Sequence, residues 1–243
     1  MSKSIIITGG SSGIGKATAE AFLADGWTVG VLARRAGMLE DFAAKHAKAI
    51  ALPADVTDEA AVEARFSEFV AKTGRLDALF NNAGMFGPPT TIDKIALEDW
   101  QAVLNVNLTG MFIAARAAFT QMKLQSPQGG RIINNGSISA HTPRETSLCY
   151  TTTKHAITGM TRSLNLDGRD LDIACGQIDI GNAETDMVAA TNERLVEQGK
   201  PANPVMDVKN AADTVVHMAN LPISANILFV TVMANKMPFV GRG

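Results

Sequence analysis

Residues 4–22 read "SIIITGGSSGIGKATAEAF", and the order of residue types within this stretch decides the fold. A short run rich in isoleucine forms a strand pattern. Gly9, Gly10, Gly13 and Gly15 follow, and a helical pattern starts at once. Glycines at such a turn let the backbone bend sharply and approach a pyrophosphate, whose charge then rests on N–H groups at a helix N-terminus. The spacing is GxxxGxG rather than the commoner GxGxxG. Taken alone, the stretch is either a dinucleotide cradle or a glycine-rich turn with no ligand.

Outward from this unit the chain alternates. Apolar runs lie at 4–8, 28–33, 49–53, 76–80, 131–134, 172–180 and 226–233. Helix-like segments lie between them at 14–25, 36–47, 58–72, 97–124, 150–168 and 207–220. Strands apolar along most of their length and separated by helices indicate a parallel sheet covered on both faces. No linker, repeat or low-complexity stretch divides residues 1–243. The expectation is α/β: one doubly wound, Rossmann-type domain of six to seven strands. Its least regular part is 182–206, which is polar and ends near two prolines.

Bulk properties narrow the function. The chain is 46% hydrophobic and 19% charged with a formal net charge of -2, so no basic field exists to attract nucleic acid. Uninterrupted apolar runs fall far short of the ~20 residues of a membrane span. The N-terminus enters a strand directly, without the pattern of a signal peptide. Cys149 and Cys175 form no CxxC and no metal spacing, and the four histidines form no HxxxH or HExxH pattern, so no metal is expected and the default location is a reduced cytoplasm. Cys149, though beside the tyrosine discussed next, reads as a small buried hydrophobe.

The stretch "LCYTTTKHA" at 148–156 holds the only tyrosine of the chain, and Lys154 follows four positions later. Residues i and i+4 share one helix face, so Tyr150 and Lys154 can enter one cleft. A free phenol has a pKa of ~10 and is a poor base near neutrality. A neighbouring ammonium would favour phenolate and lower that pKa toward the working range.

"TGGSSGIG" at 8–15 resembles the cofactor motif of the short-chain dehydrogenase/reductase family, and four further stretches match that family's order. They are Asp55-Val56 in "LPADV", "NNAG" at 81–84, Asn107 in "NVNLTG", and Ser137 in "IINNGSIS" followed by Tyr150-x-x-x-Lys154. The resemblance spans residues 4–187. It implies reduction of a carbonyl or oxidation of an alcohol, with a small-molecule substrate and a nicotinamide dinucleotide. Tyr150 would move the proton, Ser137 would donate to the developing alkoxide, Lys154 would also hold the nicotinamide ribose, and Asn107 would position a water in a proton relay. Gly9, Ser11, Ser12, Gly13, Ile14, Gly15, Asp55, Val56, Asn82, Ala83, Gly84, Gly181 and Thr185 would contact the cofactor, with no nucleic acid or membrane partner. A homodimer or homotetramer is implied, built on the helix containing "MFIAARAAFTQM" and the Tyr/Lys helix. The C-terminal "FVTVMANKMPFVGRG" reads as a buried last strand and a tail, which either stays with its own chain or reaches a neighbouring pocket.

The second strand, "WTVGVLARRAG", carries Ala33 where an NAD-selective site would place an acid, followed by Arg34 and Arg35. A guanidinium grips a phosphate through forked bonds, so NADP(H) is the expected preference and NAD(H) remains usable. Arg34 is favoured for that role, and Arg35 either shares it or faces water. Against strict selection, Ser12 stands where many NADP users have a basic residue. Two further departures stand out. Ile180 replaces the usual proline before Gly181, and the segment expected to act as a substrate lid is short. Arg144, in "AHTPRETSLCY", is either an orienting group for a substrate carboxylate or phosphate, or a solvated loop arginine. Two rivals remain: a dinucleotide sensor without turnover, and an epimerase or dehydratase on the same fold.

Overall fold

The computed structural model describes residues 2–240. Seven strands form one wholly parallel sheet: β1 (Ser4–Thr8), β2 (Thr28–Ala33), β3 (Ala49–Pro53), β4 (Ala78–Asn81), β5 (Gly130–Asn135), β6 (Ile173–Gly181) and β7 (Phe229–Met233). Their spatial order is β3-β2-β1-β4-β5-β6-β7. The chain order reverses between β1 and β4, and a crevice opens outside the carboxyl ends of the strands at such a switch point.

Alternation along β1 shows how the sheet is covered. Ile5 and Ile7 face one side, where they join Phe22 of α1 (Gly13–Ala24), Leu39 and Phe42 of α2 (Ala36–Lys45), and Val215 and Met218 of α8 (Val208–Asn220). Ile6 faces the other side and meets Val62, Phe66 and Phe69 of α3 (Glu59–Thr73) together with Ile113 and Met122 of α5 (Gly110–Leu124). The period-2 geometry of a strand sends successive side chains into two separate cores, which is why Ile5, Ile6 and Ile7 are consecutive apolar residues.

Between β4 and β5, α4 (Leu97–Leu104) passes through a π-helical segment, Asn105–Thr109, into α5. Among the described residues this continuous helix, Leu97–Leu124, is the one that passes a length-and-composition test for crossing a membrane. No uninterrupted apolar run reveals it, because its apolar residues are spaced along a face. Here that face, including Met111, Ile113, Ala114, Ala118 and Met122, is buried within the fold.

Most element bounds shift by a residue or two from the sequence reading, and three differences have a visible cause. The run at 76–80 begins its strand only at Ala78, because both backbone groups of Leu76 bond the Gln125 side-chain amide. The last strand starts at Phe229 and is only partly buried, as expected for the sheet's edge. The segment 182–206 contains α7 (Asp186–Glu197) between α6 (Leu148–Asp167) with its following strand β6 and α8. None of the residues of α7 is fully buried; its inward face, Val188, Thr191, Asn192 and Leu195, is half-buried and mixes apolar with polar residues, so the segment reads as polar. Its start is set instead by Thr185, whose hydroxyl accepts from the Val188 N–H.

Candidate active site

A cleft of about 480 Å³ lies across the switch point. Its lining follows the carboxyl ends of the strands: Gly9, Ser11, Ser12, Gly13 and Ile14 after β1; Arg34 and Arg35 after β2; Asp55 and Val56 after β3; Asn82, Ala83 and Gly84 after β4; Ser137, Tyr150 and Lys154 beyond β5; Thr185 beyond β6. Residues predicted from scattered motifs thus share one surface. Gly15, Asn107 and Gly181 do not line it; they stand immediately behind it.

Gly15 shows why the first loop needs its glycines. A Cβ there would sit 2.3 Å from the Gly9 carbonyl oxygen and 2.7 Å from Asn82 Nδ2. Gly13 adopts φ +51, and an added Cβ would touch the Thr185 methyl at 3.4 Å. The Ser12 side chain makes no capping bond to α1, so the first N–H groups of that helix remain available to an anion. Arg35 is exposed but reaches back to the loop: its Nη2 donates to Ser11 Oγ (3.0 Å) and Ser12 Oγ (3.2 Å). Arg34 faces Asp55. Burial pushes the Asp55 carboxyl up, but two bonds from Thr57 and the charge of Arg34 outweigh it and hold the pKa below its ordinary value. Asn135 Oδ1 is buried without a partner. A glycine-shaped cradle, free helix amides, paired arginines and an orphaned acceptor fit a dinucleotide.

At the other end, Tyr150 lies on α6 with its ring edge-on to Phe86, centroids 4.7 Å apart. Lys154, only 3% exposed, donates from Nζ to the Asn135 carbonyl (2.6 Å) and lies 5.4 Å from the Tyr150 ring centroid. Ser137 Oγ accepts from the Ser139 N–H at 3.1 Å, which leaves its own O–H to donate toward the phenol side of the cleft. The electrostatics reverse the simple expectation for the phenol. Burial pushes the Tyr150 pKa up, over the opposing pull of a Ser137 hydrogen bond and the Arg144 charge, while Asp179 adds to the rise. The same burial brings Lys154 down to about 8, with Asp179 opposing. Desolvation acts on both partners, and in each it disfavours the charged form.

Asn107 occupies the π-helical segment, a local widening often found at functional sites. Its side-chain amide accepts from the Met85 N–H (2.8 Å) and donates to the Met85 carbonyl (2.8 Å) and Thr153 Oγ1 (3.2 Å). It therefore fixes the loop after β4 and the Tyr/Lys helix to each other.

Sequence reasoning missed Asp179 and its network with Gln177 and His141. This carboxylate, fully buried, accepts from the Ser137 N–H (2.8 Å) and Gln177 Nε2 (2.7 Å), and pairs with His141 Nε2 (2.7 Å). Gly136 makes room for it, since a Cβ there would lie 2.0 Å from Asp179 Oδ1. The available signal was an acid inside the apolar strand "IACGQIDIG". Ile180 in place of a proline keeps a backbone N–H, and β6 stays paired with β7 through Gly181 and Met233. Beyond it, Ala183 bridges Met206, which ties the base of the α7 segment back to the chain preceding α8. The C-terminal tail stays near its own site, with Met237 in the cleft lining and Phe239 edge-on to His141; its residues 241–243 lie outside the described range.

Comparison with known proteins agrees with this geometry. The family model described as short chain dehydrogenase matches residues 3–196. A serine 3-dehydrogenase from Agrobacterium fabrum is 31% identical, covering 99% of this chain and 97% of its own. Among solved structures, a ketoacyl-(acyl-carrier-protein) reductase from Brucella melitensis complexed with NADH superposes with TM-score 0.85 at 23% identity, over 95% of this chain and 96% of that one. A serine dehydrogenase in its closed form with NADP+ superposes with TM-score 0.86 at 22% identity, covering 94% of each chain.

Proposed function

This chain belongs to the short chain dehydrogenase family, and within that family we propose that it is an NADP(H)-preferring oxidoreductase interconverting an alcohol and a ketone or aldehyde, with Tyr150 as the proton-transfer group. The observation that carries the reading is the convergence of Ser137, Tyr150 and Lys154 at one end of the cleft whose other end is the glycine loop with Arg34 and Arg35.

When bound, the nicotinamide supplies or accepts hydride at the substrate carbon. The chain's own groups handle the oxygen. In reduction the Tyr150 hydroxyl donates its proton to the carbonyl oxygen, and the O–H of Ser137 stabilises charge developing there. A phenol held above its ordinary pKa stays protonated through neutrality, which suits an acid. Lys154 supplies a positive charge beside the phenol and a donor for a ribose hydroxyl. Asn107 and Asp179 act through others: Asn107 holds Met85 against α6, and Asp179 holds the Ser137 backbone. The α7 segment serves as a short lid, since Met187, Val188 and Thr191 line the cleft. Phe112 and Leu166, exposed on α5 and α6, support a homodimer or homotetramer. Two free, buried cysteines suit a cytoplasmic protein.

The cofactor preference rests on the arginines. One charge-assisted bond to a phosphate is worth ~1.5–3 kcal/mol, roughly a ten- to hundredfold preference for NADPH over NADH in kcat/KM. Arg34→Ala should bring that ratio close to unity. Arg35→Ala should lower it less while loosening Ser11 and Ser12, which Arg35 holds in place. Equal or better use of NADH by the unaltered protein would refute the assignment.

A further inference from the structure

Arg144 is the one cation of the cleft with no place in the glycine loop and no proton-transfer role of its own, although its charge bears on Tyr150. It stands on the loop between Ser137 and α6, and it lines the cleft. Its Cζ lies 5.6 Å from the centroid of Phe86, whose ring is in turn edge-on to Tyr150. The side chain is therefore laid along an aromatic wall that begins at the reacting phenol. Its backbone is also held, because Ser147 Oγ donates to the Arg144 carbonyl at 2.8 Å.

One N–H of the guanidinium is unsatisfied. Nε is buried with no hydrogen-bond partner. Arg144 takes part in none of the ion pairs among the described residues. A buried guanidinium N–H without an acceptor costs free energy, and the usual remedy is a charged acceptor at the site. The two acids lining the cleft belong elsewhere: Asp55 is bonded to Thr57 at the end of β3, and Asp186 heads α7. Apolar groups, Met85, Phe86, Ile138, Met187 and Met237, make up much of the remaining lining, and the polar residues among them, such as Ser139, Thr191 and Asn203, carry no charge. An isolated guanidinium fork in an apolar wall recognises a flat or tetrahedral anion through paired N–H bonds.

We propose that Arg144 is the specificity-determining residue of this cleft and that it selects carbonyl or hydroxy substrates carrying an anionic group, a carboxylate or a phosphate. The proposal rests on the oxidoreductase reading above and adds the substrate class to it. The anion sits on Arg144, and the intervening carbons lie along Phe86. The carbonyl oxygen then points to Tyr150 and Ser137.

The test uses matched pairs that differ only in the charge. Levulinate is compared with its methyl ester for the carboxylate, and dihydroxyacetone phosphate with dihydroxyacetone for the phosphate. NADPH consumption by the full-length protein is followed for each. The expected result is that kcat/KM for the anionic member of at least one pair exceeds its neutral partner by roughly ten- to a hundredfold, mostly through KM. The pair that shows the gap identifies the anion. Arg144→Ala should bring the anionic-to-neutral ratio to about one. Arg144→Lys, which keeps the charge but loses the fork, should retain part of it. The ratio is the informative readout, because Arg144 also acts on the phenol, and that effect falls equally on both members of a pair. Ratios near one in the unaltered protein, with the neutral ketones reduced, would overturn the anion assignment and leave the oxidoreductase reading intact. A ratio unchanged by Arg144→Ala would overturn it too. Silence on every pair, with NADPH bound, would overturn both.

Discussion

Tyr150→Phe should lower kcat by a factor of at least ~100, the low end for loss of a general acid or base, while NADPH affinity stays within about twofold. The substitution removes one oxygen and keeps the ring, so the edge-on contact with Phe86 at 4.7 Å survives and the fold is undisturbed. Lys154→Ala differs, because it removes a buried amine that bonds the Asn135 carbonyl and stands beside the phenol. It should impair turnover and cofactor binding together. The pH dependence follows from the protonated form of the phenol. Burial raises its pKa, and reduction requires the protonated form, so kcat/KM for reduction should be flat from about pH 6 to about pH 8 and fall only at higher pH. Oxidation requires the deprotonated form and should rise over the same range. Near-normal turnover by Tyr150→Phe at neutral pH would end the case for this residue.

Gly15→Ala should weaken NADPH binding by roughly ten- to a hundredfold, the equivalent of the ~1–3 kcal/mol that overpacking costs. The added methyl would meet the Gly9 carbonyl at 2.3 Å and Asn82 Nδ2 at 2.7 Å, and neither is the loose end of a flexible chain. The loop must shift, and the phosphate-binding amides shift with it. Gly37→Ala is the control. Nothing lies within 4 Å of the position its Cβ would take, and alanine in α2 should stabilise the helix slightly. Fluorescence titration of NADPH against both variants, with Tm measured alongside, checks the contrast. Equal affinities would mean that the loop does not cradle the cofactor.

These variants also mark what the sequence could reveal. The glycine stretch, the apolar runs and the motif order predicted a parallel sheet, and residues far apart in the chain met at its carboxyl edge, because every βα turn of such a sheet opens on the same side. The helix α7 stayed hidden for a physical reason: its inward face, Val188, Thr191, Asn192 and Leu195, is only half-buried and half polar, so it shows no apolar stripe, and the Thr185 cap is the clearer signal. Asp179 stayed hidden because its three donors come from the Ser137 backbone, Gln177 and His141, which only the fold brings together. The direction of the Tyr150 shift was misjudged because a helical i, i+4 spacing conveys proximity to a charge and says nothing about desolvation. In the structure Lys154 gives its closest hydrogen bond to the Asn135 carbonyl rather than to the phenol. Arg35 was assigned to water as one alternative, and though exposed it reaches back to Ser11 and Ser12.

The most direct test of the central claim follows the hydrogen itself. NADPH carrying deuterium at the nicotinamide carbon that donates hydride is incubated with the protein and an accepted ketone, and the alcohol product is examined by NMR. The account predicts one deuterium per product molecule, at the carbinol carbon and from one face of the nicotinamide, with Tyr150→Phe slowing its appearance by at least the ~100-fold expected for the loss of general acid catalysis. Product formed without the label, or tightly bound NADPH that never surrenders it to any carbonyl compound, would contradict the account.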